Sequence, residues 1–511
     1  MSTNSRFSRV RSWIFCRLAA VWAFHEPVVA RVSRPRGSWS QSAALAVGDP
    51  HESGERSTFN IQRPKSKVGA RRSALKVQSW ALNVECFPRG RATRATTRFA
   101  LGWLVALAAL SALTALATNY DEAKVGAYTL PNPLVCNDGT RVTNAETWYA
   151  KRRPEILEAY RTEIFGHSPE PGTNATFNVW ETATNALSGT AVRKQIEINF
   201  SGTADGPFAH LLLYTPAGKT ASPVFLCLQF NGNYTVIDDP AIAIFPAWNP
   251  KTGRLAMPKN PMRGQFTNNW KIPETLARGY GIAFINYCEI EPDLPAGAGL
   301  KYGVHRNFPA PGPDGWGAIG AWAWGASRAL DYLGTDLDVD ARRVILFGHS
   351  RLGKTALWGG AQDSRFAGVI ANCSGEMGAA LSRRDFGETV DDVVKHFPYW
   401  MAGNFRKYAG HWNDLPVDSH CLISLIAPRP LFLNTGSEDQ WGDPHGEFLG
   451  ARAATPVYAL LGKTGLIETD FPPLDHALQH DLSFNCHTGK HDVLPADWDN
   501  FLDFADAHFK K

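Results

Sequence analysis

The stretch RVILFGHSRLGK at residues 343–354 constrains the fold more than any other part of the chain. A short apolar run of the buried-strand kind leads into Gly348, His349 and Ser350, and an Ala- and Gly-rich helical segment follows at 352–362. A serine at a sharp strand-to-helix turn has its hydroxyl lifted into the open, and small neighbours let strand and helix approach. The spacing is G-x-S-x-x-G rather than G-x-S-x-G. A Ser that merely caps the helix is the competing explanation; the apolar strand ahead and the helix behind favour a nucleophile.

Such a turn implies a sheet, and the chain from residue 120 supplies one. Apolar runs at 194–200, 210–214, 224–230, 281–287, 343–347, 368–372 and 430–434 read as strands. Helical spacing marks 147–165 and 319–333 besides 352–362. Alternating strands and helices predict an α/β fold, a three-layer sandwich around a mostly parallel sheet. No internal repeat is present, and the Pro-, Gly- and Asn-bearing segment 238–270 reads as a long insertion at the sheet's edge, a common home for binding residues.

A serine hydroxyl needs a base at neutral pH, and the base needs an orienting acid. The elbow on the fifth expected strand resembles that of the α/β-hydrolases, in which the order along the chain is Ser, Asp or Glu, then His. After the strand 430–434 comes TGSEDQW at 435–441, and Asp439 is preferred to Glu438 because its shorter arm is easier to hold rigid. Among the late histidines His476, His480, His487 and His491, only His491 directly precedes the last amphipathic helix, which starts at Pro495. The competing explanations are a loop Asp closing an Asx-turn and a surface or core His.

The amino-terminal part reads differently. Residues 1–117 carry 18 Lys/Arg against 5 Asp/Glu, a net of +13, and the remainder carries 34 against 43, a net of −9. Residues 1–98 form a basic, low-complexity extension, and 99–117 (FALGWLVALAALSALTALA) read as a signal peptide or membrane anchor, the first favoured by the Ala-Leu-Ala before Thr118. Its place about a hundred residues in implies a start assigned too far upstream, and the expected location is secreted or periplasmic. The acidic domain at 118–511 argues against a nucleic-acid partner. Six cysteines remain there at no metal-like spacing; Cys227 and Cys421 read as core thiols, and Cys373 and Cys486 as a candidate disulfide. No phosphate loop, metal or organic cofactor is called for.

Four separated motifs, GHSRLGK at 348–354, GWGAIGAWAW at 315–324, LSRRDFGE at 381–388 and HTGKH at 487–491, resemble the glucuronoyl esterases of carbohydrate esterase family 15 over roughly 118–511. The resemblance implies a monomeric serine esterase that hydrolyses 4-O-methyl-glucuronic acid esters of glucuronoxylan with lignin alcohols. It further implies that Arg351 helps stabilise the oxyanion, that Lys354 and Glu388 hold sugar hydroxyls and the uronate, and that Trp441 borders the ring. Without it, Arg351 and Lys354 read equally as a solvated helix face, Glu388 as a partner of Arg383 or Arg384, and Trp441 as core. Two features depart from the fungal members. Cys373 stands where those place the acid, leaving Asp439, or less favourably Glu376, for that part; and His349 and Asp492 replace their disulfide. An acetyl-xylan esterase would share the triad and is the rival class.

Overall fold

All seven expected strands enter one sheet in the computed structural model, which describes residues 118–170, 174–249, 252–259, 261–294 and 298–510. The extension 1–98 and the apolar segment 99–117 lie outside the described residues. The strands are β1 (Thr176–Asn185), β2 (Ala191–Asn199), β3 (Phe208–Pro216), β4 (Ser222–Gln229), β5 (Ala247–Asn249), β6 (Arg254–Ala256), β7 (Gly281–Asn286), β8 (Val339–His349), β9 (Gly368–Asn372), β10 (Leu431–Gly436) and β11 (Leu482–His487). Nine of them form the main sheet in the order β1-β2-β3-β7-β4-β8-β9-β10-β11, and β5 and β6 form a separate hairpin. β1, β2, β3 and β7 pair antiparallel, and all pairings from β7 to β11 are parallel.

Period-2 alternation along these strands feeds two cores, one on each face. Leu226 and Leu346 join the core beneath α1 (Arg153–Tyr160), α2 (Ala318–Leu333), α3 (Arg351–Gln362), α4 (Ser419–Ile426) and α5 (Pro444–Leu460). Their neighbours Phe225, Ile345 and Phe347 face the other core, closed by α6 (Pro495–Phe509) through Trp498, Phe501 and Phe504. Trp498 is fully buried and stands 5.5 Å, ring centre to ring centre, from both Phe225 and Phe347. Each such side chain contributes roughly 1.5–3 kcal/mol of burial, which docks α6 and so fixes the loop ahead of it. The molecule is thus the expected α/β three-layer sandwich, an α/β-hydrolase fold.

Three expectations need correction. Four further strands exist, which no apolar run announced: β1 and β11 in the main sheet, and β5 and β6 in the hairpin. The helix expected at 147–165 is interrupted by two π-helical stretches, Trp148–Arg152 and Arg161–Phe165, flanking α1. And Cys373 and Cys486 are free thiols. Cys373 follows β9 and Cys486 lies on β11, with β10 between them; two strand spacings are about 9.5 Å, beyond the reach of a disulfide. Cys227 and Cys421 are fully buried core residues, as read.

The first part of the 238–270 insertion, residues 239–245, lies over β2 and β3. Arg193 on β2 pairs with Asp239, the Ala243 N–H donates to Gln195, and Phe245 stacks on His210.

Candidate active site

Ser350 joins β8 to α3 with φ 60° and ψ −130°, a strained conformation for a residue bearing a side chain. Its N–H donates to the Asn372 carbonyl at 2.8 Å, and its own carbonyl accepts from the Gly353 N–H at 2.8 Å. Glycine is obligatory at 348, because a Cβ there would stand 1.8 Å from the Leu352 carbonyl oxygen. At Gly353 it would sit 3.0 Å from the Asn372 oxygen and the Ser374 Cβ, so strand, turn and helix pack around the missing side chains.

His491 is delivered by the loop between β11 and α6, and Asp439 by the loop after β10. The His491 Nδ1 and the Asp439 Oδ2 are 2.6 Å apart. Asp439 is buried, and its other oxygen accepts from the Gly442 N–H at 3.2 Å, which holds the carboxylate in place. The two loops are laced together: the Ser437 N–H donates to the His487 carbonyl at 2.9 Å and the Glu438 N–H to that of Gly489 at 2.7 Å. Glu438 itself is exposed. Ser350, Arg351 and His491 line one cleft of about 390 Å³ with His349, Asn231 and Trp270. Of the other late histidines, His480 pairs with Glu468 and His487 with Asp497, and His476 is exposed.

One ligating atom each of Cys373, Asp439 and His491 falls within 4.8 Å of the others. Two ligands of one zinc ion stand roughly 3.3 Å apart, so the 2.6 Å Asp439–His491 spacing fits a hydrogen bond instead. Burial pushes the Cys373 thiol well above its ordinary range, with Glu447 and Asp439 adding to the effect. Glu376, the weaker alternative acid, is buried and accepts a hydrogen bond from Ser382 at 2.7 Å; burial holds its carboxyl well above the usual range, hence neutral.

Arg351 is not a solvated helix face. Its guanidinium bonds Asp293 and lies 4.7 Å from the Trp400 ring centre, with Phe397 and Phe230 further out at 5.6 and 5.8 Å. Asp293 is in turn held by the Tyr287 and Tyr399 hydroxyls and the Trp400 indole N–H, at 2.9, 2.7 and 2.9 Å. Burial works against the Arg351 charge, yet Asp293 and Tyr287 hold its pKa above the ordinary value. Neither Asp293 nor its aromatic partners carried a sequence signal; they converge only through the fold.

Lys354 is also buried, donating to the Ser374 carbonyl at 2.8 Å and to Glu388 at 3.1 Å. Glu388 therefore partners Lys354 rather than Arg383 or Arg384, which pair with Asp418 and Asp443. Trp441 is 39% exposed, so it is not core. Its carbonyl accepts from the Glu388 N–H at 2.8 Å, which ties the loop bearing the candidate sugar contact to the loop bearing Asp439. Behind them, the fully buried Glu447 accepts from the Ser374 hydroxyl and the Gly375 N–H. Burial pushes its carboxyl up to about 8.

A parallel-sheet rim carrying a strained serine, an acid-tethered imidazole and a shared cleft defines a carboxylic ester hydrolase of the α/β-hydrolase fold. Comparison narrows the class. The family model for fungal glucuronyl esterases matches residues 311–462. A carbohydrate esterase from an unknown prokaryotic organism is 43% identical over 397 residues, covering 76% of this chain and 92% of its own. A glucuronoyl esterase structure from Solibacter usitatus is 45% identical with a TM-score of 0.73, over 76% of this chain and all of the other. A promiscuous esterase of carbohydrate esterase family 15 from a marine bacterial metagenome is 43% identical with a TM-score of 0.72, over 77% of this chain and all of the other. The chain belongs to the glucuronoyl esterases of carbohydrate esterase family 15, enzymes that hydrolyse uronic acid esters.

Proposed function

We propose that this enzyme cleaves esters between the 4-O-methyl-glucuronic acid branches of glucuronoxylan and lignin alcohols, through a uronoyl acyl-enzyme on Ser350. The observation that carries the reading is the 2.6 Å His491–Asp439 hydrogen bond on the cleft that Ser350 lines. His491 takes the Ser350 proton as the hydroxyl oxygen attacks the uronoyl carbonyl, and Asp439 steadies the imidazolium. Arg351 and the backbone N–H of Leu352, in the first turn of α3, receive the oxyanion. The alcohol leaves with the proton from His491; water then attacks the acyl-enzyme, with His491 again as base, and the free uronic acid departs.

Lys354 and Glu388, paired beside the elbow, serve the uronate and its hydroxyls, and Trp441 borders the ring. The acidic domain acts as a monomer outside the cytoplasm, a placement supported by the apolar segment 99–117. Benzyl glucuronate and acetylated xylan assayed side by side test the substrate class. Turnover of benzyl glucuronate that disappears in Ser350→Ala is the expected result; preference for the acetylated polymer would move the enzyme to the acetyl-xylan esterases.

A further inference from the structure

His349, Asn372, Asn434 and Asn485 are in-register partners on four adjacent parallel strands, β8 to β11. Their side chains therefore form one row along one face of the sheet, just below the rim that carries the elbow. The three asparagines are almost completely buried, where an unpaired amide is costly. The Asn485 amide nitrogen donates to the Asn434 Oδ1 at 2.8 Å, and that of Asn434 donates to the Asn372 Oδ1. The Asn372 amide nitrogen then makes two bonds, to the Asp492 carbonyl at 2.8 Å and to the His349 Nδ1 at 2.7 Å. A carbonyl can only accept, so the Asp492 oxygen fixes which end of the Asn372 amide faces it. The His349 Nδ1 must then accept as well, which puts the proton of that ring on Nε2.

We infer that Asn372 is a positioning residue for the general base: it ties down the carbonyl of the residue after His491 and locks the adjacent His349 as an uncharged ring. The inference rests on the reading of His491 as that base. The two rings stand 4.7 Å apart, centre to centre. His491 must become a cation in each half-reaction, and a protonated His349 at that separation would oppose it. The titratable or charged groups around His349 are His491, His487 and Arg351, and Phe230 lies against its edge; those around His491 are Asp439, Cys373 and His349. Burial, then His491, pushes His349 down to about 3, in agreement with the accepting Nδ1. A hydrogen-bonded tie thus holds the histidine loop at the position where the fungal relatives use a disulfide.

Asn372→Asp tests this at constant size. The carboxylate cannot donate to the Asp492 carbonyl and favours a protonated His349. The expected result is a kcat at least tenfold lower near pH 6, KM within twofold, and an acid limb of the pH–rate profile raised by about one unit or more. Adding His349→Asn to that variant removes the second titrating ring and brings the acid limb back, while the kcat loss from the freed Asp492 carbonyl stays. An unmoved acid limb in a folded Asn372→Asp protein, judged by near-ultraviolet circular dichroism, overturns the inference.

A second measurement needs no change at Asn372. In the Ser350→Ala protein with 15N-labelled histidine, the His349 Nδ1 is expected to remain unprotonated from pH 5 to 8; protonation near pH 6 overturns the inference. Should the enzyme reject uronate esters but hydrolyse p-nitrophenyl acetate, the proposed substrate falls and the kinetic test proceeds on that ester. Hydrolysis of no ester at all removes the base and overturns both.

Discussion

Strands β1 to β3 run antiparallel and use their polar side chains to hold an insertion, whereas β8 to β11 run parallel and use theirs to aim reacting groups. On β2 the burial alternates, and the inward Arg193 binds Glu181 at 2.8 Å and also Asp239. Gln195, two residues on, accepts from the Ala243 N–H and donates to the Ala241 carbonyl. At the other end, polar residues gather where strands terminate: Asn372 and His349 at the ends of β9 and β8, and His487 at that of β11. Parallel strands bring all their following loops to one rim, so three loops distant in sequence meet there. The lesson is that buried polarity carries two different duties in one sheet, and substitutions should separate them.

The sharpest separation comes from Asp439→Asn, whose amide would present a donor where His491 needs an acceptor for its Nδ1–H. We expect kcat to fall about 10⁴-fold, as for the equivalent change in other triads, with KM within a few-fold and the melting temperature within about 2 °C. A kcat loss below tenfold would place the orienting acid elsewhere. Arg193→Met asks the opposite question. It leaves Asp239 buried without its guanidinium, a change that costs about 3–5 kcal/mol; urea unfolding should read that loss while kcat stays within twofold. Equal damage to both quantities would mean that the part of the insertion held by Arg193 bears on the catalytic cleft as its last residue, Trp270, does.

The smallest effect sits in the parallel region, at Glu447, which accepts from the turn after β9. Glu447 has a pKa near 8 in the folded chain against an ordinary 4.5, so the folded state binds its proton more tightly than the unfolded state. The stability it contributes is complete below about 4.5 and is lost as pH rises through about 8. Glu447→Gln keeps the acceptor for Ser374 and Gly375 and removes the titration. Its stability at pH 9 should exceed that of the parent by roughly 1–3 kcal/mol, measured by urea unfolding at pH 5 and 9, with no gain at pH 5. A parallel shift at every pH would assign the effect to packing.

The parallel half of the fold was the more legible in sequence, because its strands are short apolar runs buried on both faces. β1, TFNVWETATN, is a mostly exposed edge strand, and its polar composition gave no apolar run to find. β11, LSFNCH, is fully buried but carries Ser483, Asn485 and His487, which bond His480, Asn434 and Asp497 and break up the apolar run. Of the candidate site, the pairing of His491 with Asp439 and the place of Ser350 on the same cleft could be anticipated from chain order and the turn signal. The Asp293 hub and the asparagine row could not, since a single Asp or Asn looks the same whether it caps a turn or joins strands 50 or 60 residues apart. The burial of Lys354 was equally hidden, because its carboxylate partner lies 34 residues on.

The lacing between the loops that follow β10 and β11 carries one more consequence. Because Ser437 and Glu438 grip the backbone of the histidine loop directly, imidazole and carboxylate ride on a single bracket, and Asn372 joins that bracket to the serine turn, accepting from the Ser350 N–H and donating to the Asp492 carbonyl. Loop-length variation among descendants of this sheet is best tolerated beyond the bracket's two ends, and least inside it.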